Sequence, residues 1–295
     1  MSQTIQKIAV VGAGNMGQQI AMSAAIFGFD VKVTDSVPEA LEKMRTFISV
    51  YLAGRVAKGR MTEEQTKAIA ERLQVCETLE ETVTDADLVI EAVVELLDVK
   101  QQIFRELDRL CPAHTILATN SSYICNSEIA CVTNRPEKVC NMHFFNPAIV
   151  MKLVEIVRSE KTSQETLDTV YDVCKRMGKE PIIVQKEIPG FIVNNLLDPY
   201  LMTAHKLADR GIASPEDIDR AAKYGLGYPM GPFEMNDLTG LDLTYTVFRD
   251  RYEKSGDPAD LPGILLSKHY YAGEYGRKTG KGFYDYSDPE KNRKK

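Results

Sequence analysis

One histidine of the sequence lies where a proton could be moved. His143 is inside the apolar run Val139 to Phe145, which stops at Asn146-Pro147, and a second β-rich run to Val157 follows. Two such runs read as neighbouring strands with a short connection, which brings Glu155 beside His143. An imidazole titrates near neutrality, and a carboxylate behind it fixes its tautomer and stabilises the cation formed when it takes a proton. The pair is a candidate catalytic base. A lone histidine in an apolar strand also suits a plain core, and Lys152-Leu153-Val154-Glu155 alternates like any half-buried strand.

A second constellation is the turn Gly12-Ala13-Gly14-Asn15-Met16-Gly17. It follows a β-branched run, Ile5 to Val11, and opens a helix, Gln19 to Phe27, stopped by Gly28. The next strand, Val31 to Thr34, ends on Asp35. Strand before, helix after and acid at the next strand's end is the context in which a GxGxxG turn holds a dinucleotide. Gly12 permits the tight turn, Gly14 lets backbone N–H groups approach a pyrophosphate, and Gly17 allows close helix–strand packing. Asp35 accepts from a ribose 2′-hydroxyl and repels a 2′-phosphate, which favours NAD over NADP. A glycine turn without a ligand is the bland alternative. A third cluster, Thr119-Asn120-Ser121-Ser122, closes a strand from Thr115 to Ala118, at the carboxyl end where an open α/β sheet keeps ligands; its serines also suit caps and turns.

Further strands at Leu73 to Cys76, Leu88 to Ala92 and Pro181 to Val184, with helices Asp98 to Leu110 and Ser163 to Met177, predict a Rossmann-like, doubly wound, mostly parallel sheet. Pro38 to Lys58 has helical apolar spacing, and Thr62-Glu63-Glu64-Gln65 reads as a capping box opening another helix. The basic rim Arg55, Lys58 and Arg60 is a solvated face or meets a phosphorylated substrate. Pro189-Gly190 follows the last β signal, so the first domain is set at 1–187 and a second, all-α domain at 188–295. Its first helix is expected from Phe191 to Arg210, and Ser214-Pro215 caps the next. The charged tail, Glu290 to Lys295, reads as frayed. The helical part is too thin to bury both faces of its helices, so a homodimer through that domain is expected.

Hydrophobic residues are 44%, charged residues 26% and the net charge is −6, which sets aside disorder and argues against nucleic acid as a partner. There is neither an apolar signal core nor an apolar run near the ~20 residues of a membrane span. The six cysteines show no CxxC and no metal spacing, so they read as buried, reduced thiols in a cytoplasmic protein without a metal.

Several separated motifs together resemble the L-3-hydroxyacyl-CoA dehydrogenase family, the 3-hydroxybutyryl-CoA type included. They are the glycine turn, Glu91-Ala92-Val93-Val94-Glu95, Asn120-Ser121-Ser122, His143-Phe144-Phe145-Asn146-Pro147, Pro189-Gly190-Phe191-Ile192-Val193-Asn194, Pro229-Met230-Gly231-Pro232-Phe233, and Gly276-Arg277-Lys278-Thr279-Gly280-Lys281-Gly282-Phe283-Tyr284. The resemblance implies an NAD-dependent interconversion of (S)-3-hydroxyacyl-CoA and 3-ketoacyl-CoA. It places the catalytic serine on Ser122, the base on His143, its carboxylate on Glu155 and an asparagine on Asn194. It puts NAD contacts on the glycine turn, Asp35, Glu95, Lys100, Ser122, Asn146 and Lys278, substrate contacts on Ser122 and Asn194, and a coenzyme A contact on Lys58. Tyr51, Tyr123 and Asn195 depart from the residues usual at their places. Rival readings are a dehydrogenase of another hydroxy acid, such as a sugar acid, and a non-catalytic NAD-binding protein. A Ser122-His143-Glu155 hydrolase lacks the GxSxG elbow that exposes a nucleophile.

Overall fold

The computed structural model describes residues 4–287, so the charged tail lies outside the described residues. Two compact units part between Ile192 and Val193. The first runs β1 (Lys7–Val11), α1 (Asn15–Ile26), β2 (Asp30–Thr34), α2 (Pro38–Ala57), α3 (Glu63–Arg72), β3 (Leu73–Val75), α4 (Leu79–Val83), β4 (Leu88–Glu91) and α5 (Leu97–Leu110). It continues with β5 (Ile116–Thr119), α6 (Asn126–Ala130), β6 (Val139–Phe144), β7 (Leu153–Val157), α7 (Gln164–Arg176) and β8 (Glu180–Val184). The eight strands form one sheet of order β3-β2-β1-β4-β5-β6-β7-β8. Only the β6–β7 pairing is antiparallel.

Alternation along the strands makes two cores. Ile8 and Val10 of β1 pack into the layer that holds Ala21, Met22 and Val170, while Ala9 and Val11 face Val83, Phe104 and Leu107. A sheet covered on both faces reads as continuous apolar runs, which is why β4 and β5 are buried throughout. Local signals set several boundaries. Thr62 Oγ1 accepts from the Gln65 N–H (3.2 Å) and Gln65 Oε1 from the Thr62 N–H (2.9 Å), a closed capping box before α3. Ser163 caps α7 through the Thr166 N–H at 3.1 Å.

Four cysteines (76, 111, 140 and 174) are buried, with burial pushing the Cys111 and Cys140 thiols up to about 12. Cys131 is exposed and Cys125 half-buried, contrary to the expectation of uniform burial, because they flank α6, a surface helix of five residues. Among the described residues no helix is long and apolar enough to cross a membrane, and no three His, Cys, Asp or Glu side chains gather as metal ligands.

The second unit contains α8 (Val193–Asp209), α9 (Pro215–Gly225), α10 (Pro232–Thr239), α11 (Leu241–Ser255) and α12 (Ile264–Tyr271). The helix expected from Phe191 begins two residues later, because Gly190 and Phe191 take positive φ of 79° and 46°. Two buried carboxylates hold this unit's final loop. Asp237 accepts from the Phe283 and Tyr284 N–H groups (3.0 and 2.9 Å), and Asp219 from the Tyr284 hydroxyl (2.7 Å). A Cβ on Gly282 would meet Asp237 Oδ1 at 2.1 Å, so this glycine is fixed by packing.

His205, 2% exposed among Phe233, Phe248 and Phe283, is pushed by burial, with help from His269, down to about 4. The folded state keeps this imidazole neutral while the unfolded chain protonates it. Its contribution to stability is therefore complete above the ordinary value of 6.5 and is lost as pH falls toward about 4. The loss amounts to roughly 3 kcal/mol at ~1.4 kcal/mol per pH unit. Urea titrations of wild type and His205→Gln across that range should show a shallower pH slope for the variant; equal slopes would contradict the assignment.

Candidate active site

Antiparallel register sets His143 of β6 directly opposite Glu155 of β7. His143 Nδ1 lies 2.8 Å from Glu155 Oε2, with the residues 3% and 0% exposed. The other carboxylate oxygen, Oε1, accepts the Ile192 N–H at 3.0 Å. A carboxylate on Nδ1 holds the proton there and leaves the lone pair on Nε2, the tautomer a proton acceptor needs. Phe145 and Phe191 flank the imidazole with ring centroids at 4.5 and 5.5 Å.

The glycine turn bridges β1 and α1. Gly12 has φ of +108°, and a Cβ there would meet Ala92 O at 2.6 Å, while one on Gly17 would meet Gly12 O at 1.8 Å. Both are dictated by the chain's own backbone. Gly14 has nothing within 4 Å of an added Cβ, so its face of the turn is open to a ligand. Asp35 accepts from the Ala13 N–H (2.7 Å) and the Val37 N–H (2.9 Å), which seats its carboxylate at the end of β2 against the turn. Open backbone at Gly14, a helix start and an acid at the next strand's end fit a dinucleotide with a free ribose 2′-hydroxyl. Met16 is half-buried against the core.

The β6–β7 connection is tied to the same helix. Asn146 Oδ1 accepts from Asn15 Nδ2 (3.2 Å) and Gln19 Nε2 (3.3 Å), and Gln19 also bonds Asn15 Oδ1 (2.9 Å). Gln19 was not singled out from the sequence. Its position four residues after Asn15, one turn on along the same face, is the signal that marks it.

Past the end of β5, one carboxylate gathers a turn. Glu95 Oε1 accepts from the Ser121 hydroxyl, and the Ser122 and Tyr123 N–H groups donate to it at 3.0 Å each. Partial burial pulls this carboxyl up, but the Lys100 ammonium and these donors outweigh it and hold it below the usual range. Asn141 Nδ2 donates to Ser121 O (3.1 Å) and Asn120 Oδ1 accepts the Phe144 N–H (2.9 Å), so two further asparagines lock this turn to β6. Lys100 is 1% exposed, with its ammonium 2.8 Å from Glu91 and 3.3 Å from Glu95. It therefore stands behind Glu95. Removing one partner of a buried ion pair leaves the other uncompensated at about 3–5 kcal/mol. Lys100→Met should lose about that much stability by urea denaturation and weaken NADH binding; wild-type values for both would contradict this placement.

Lys58, exposed just past the end of α2, shares no side-chain hydrogen bond or ion pair with these clusters among the described residues. Asn194 lies in the first turn of α8, and Lys278 pairs with Asp242 at 2.6 Å; both belong to the helical unit.

An open sheet whose order reverses between β1 and β4, with a glycine turn and an acid at that switch point, is the framework on which nicotinamide dinucleotides are bound. With a buried histidine–carboxylate pair on the same sheet, it defines an NAD-dependent oxidoreductase. The family model of the 3-hydroxyacyl-CoA dehydrogenase NAD binding domain matches residues 7–188, and that of its C-terminal domain residues 190–286. The chain belongs to the 3-hydroxyacyl-CoA dehydrogenase family. It is 43% identical to a probable 3-hydroxybutyryl-CoA dehydrogenase of Bacillus subtilis, over 96% of this chain and 98% of that one. It is 42% identical to the human mitochondrial hydroxyacyl-coenzyme A dehydrogenase, over 96% and 91%. A crystal structure of (S)-3-hydroxybutyryl-CoA dehydrogenase from Ralstonia eutropha superimposes with a TM-score of 0.88 at 36% identity, covering 97% of this chain and all (100%) of that one.

Proposed function

We propose that this NAD-dependent 3-hydroxyacyl-CoA dehydrogenase acts on short-chain (S)-3-hydroxyacyl-CoA, with 3-hydroxybutyryl-CoA as its preferred substrate, and that His143 moves the proton. NAD, when bound, supplies the acceptor for the hydride that leaves C3. His143 Nε2 takes the hydroxyl proton as the carbonyl forms, and in reduction the imidazolium returns it to the 3-keto oxygen. Glu155 offsets the positive charge, and the surrounding apolar side chains exclude the water that would weaken this support. Ser122 holds the reacting oxygen, and Glu95, seated by Lys100, fixes the turn that carries Ser122 and contacts the cofactor. Asn146 and Asp35 orient the two ends of the dinucleotide. Asn194 as substrate contact and Lys278 as cofactor contact rest on the family motifs that carry them, and Lys58 as coenzyme A contact rests on the family resemblance alone.

The observation that carries this assignment is the buried Nδ1···Oε2 contact of 2.8 Å between His143 and Glu155. Short-chain preference rests on two relatives named for 3-hydroxybutyryl-CoA, those of Bacillus subtilis and Ralstonia eutropha, and on Tyr123, an aromatic ring in the turn beside Ser122. A series of 3-ketoacyl-CoA lengths, run with NADH and with NADPH, tests the whole. Expected are the highest kcat/KM at four carbons, preference for NADH, and a gain at ten carbons relative to four in Tyr123→Ser. No turnover of any length would overturn the function; equal rates across lengths would overturn the preference. A dimer through the helical unit and a cytoplasmic location complete the proposal, and sedimentation as a monomer at micromolar concentration would remove the first.

A further inference from the structure

Two adjacent residues at the end of the sheet unit each touch one member of the proton-transfer pair, and no role attaches to either. Phe191 has φ of +46°, the one non-glycine residue with positive φ among those described. Its side chain is 0% exposed, packed against Val157 and Val184 at the ends of β7 and β8. Its ring stands edge-on to the His143 imidazole with centroids 5.5 Å apart. The next residue's N–H donates to Glu155 Oε1 at 3.0 Å. A left-handed backbone is unfavourable for any residue with a Cβ, and such conformations persist where the surroundings over-determine them. Here it turns the chain so that the Ile192 amide meets the carboxylate. Relaxing φ to the helical or extended range would swing that amide away.

We propose that Phe191 is a positioning residue for proton transfer. Its ring sets the imidazole plane, and its left-handed backbone delivers the Ile192 N–H to Glu155 Oε1, leaving Oε2 aligned on His143 Nδ1. This inference rests on the proposed role of the His143–Glu155 pair. It gives the Pro189-Gly190-Phe191-Ile192 motif a catalytic purpose in addition to ending the sheet unit.

The test compares Phe191→Gly, Phe191→Ala and Phe191→Val in the full chain, with His143→Gln beside them. All three Phe191 variants remove the ring; they differ in tolerance of positive φ, from glycine, which is free there, to the β-branched side chain, which tolerates it least. The expected result is KM for acetoacetyl-CoA and Kd for NADH within about twofold across the series, with kcat about tenfold lower in the alanine than the glycine variant and lower again in the valine variant. The His143 Nδ1–H proton resonance should weaken in the same order. If Tm falls in that order while kcat and the resonance stay equal, the left-handed turn serves stability alone and the proposal is overturned. Should the valine variant not fold, the glycine–alanine comparison still decides. Full turnover in His143→Gln would instead overturn the role of the pair itself, so the two failures are distinguishable.

Discussion

His143→Gln is expected to fold, to bind NADH as wild type does, and to lose about a hundredfold to ten-thousandfold in kcat, the usual share of a positioned acid–base group. Glutamine nearly matches the volume of the imidazole, so its packing between Phe145 and Phe191 largely survives. What it lacks is a basic nitrogen that can accept the substrate's proton. The defect should appear in both directions, because in the proposed mechanism the nitrogen that takes the hydroxyl proton in oxidation returns it in reduction. The check is kcat for acetoacetyl-CoA reduction, with NADH affinity measured separately by fluorescence. A fall in NADH affinity with unchanged kcat would point to a cofactor contact instead.

Glu155→Gln is expected to be nearly as damaging, by about a hundredfold or more, for a reason particular to this geometry. Glu155 Oε1 is occupied by the Ile192 N–H, so the new amide will keep its oxygen there and turn its NH2 group toward His143 Nδ1. Nδ1 must then accept. The ring proton moves to Nε2, the tautomer that cannot take a proton from the substrate, and a charged imidazolium would face an amide in place of a carboxylate. Loss of the carboxylate behind a catalytic histidine has this consequence in the serine-protease triad. The measurement is kcat together with the imidazole nitrogen resonances. Wild-type kcat with the proton still on Nδ1 would contradict the account, whereas an unfolded protein would show only that a buried group had been disturbed.

Much of this site is legible in the sequence because its signals are local. The glycine turn is written within six consecutive residues and the acid of β2 follows at a spacing that the βαβ unit fixes. His143 and Glu155 are twelve positions apart on two strands joined by a short connection, and antiparallel register then places them face to face. The bonds that finish the site join distant segments and leave no such trace. Asn141 to Ser121, Asn120 to Phe144 and Ile192 to Glu155 depend on how strands and turns stack, which no spacing reveals. The same holds for Lys179, 4% exposed, whose ammonium reaches the carbonyls of Ala148 and Met151 and so braces the connection that carries Asn146. Phe191 shows where local preference loses to context. Its neighbours suggest a helix start, yet burial of its ring beside His143 and the bond from the next amide settle it in a conformation phenylalanine seldom adopts. Cys131 is the converse case, a residue type usually buried that ends a surface helix.

The most direct test is a single-turnover experiment in which wild type and His143→Gln, each saturated with NADH, are mixed with acetoacetyl-CoA and the loss of NADH absorbance is followed. Proton delivery by His143 predicts a rate constant at least a hundredfold smaller in the variant with full NADH occupancy retained. A variant that consumes its bound NADH within about tenfold of the wild-type rate would contradict it.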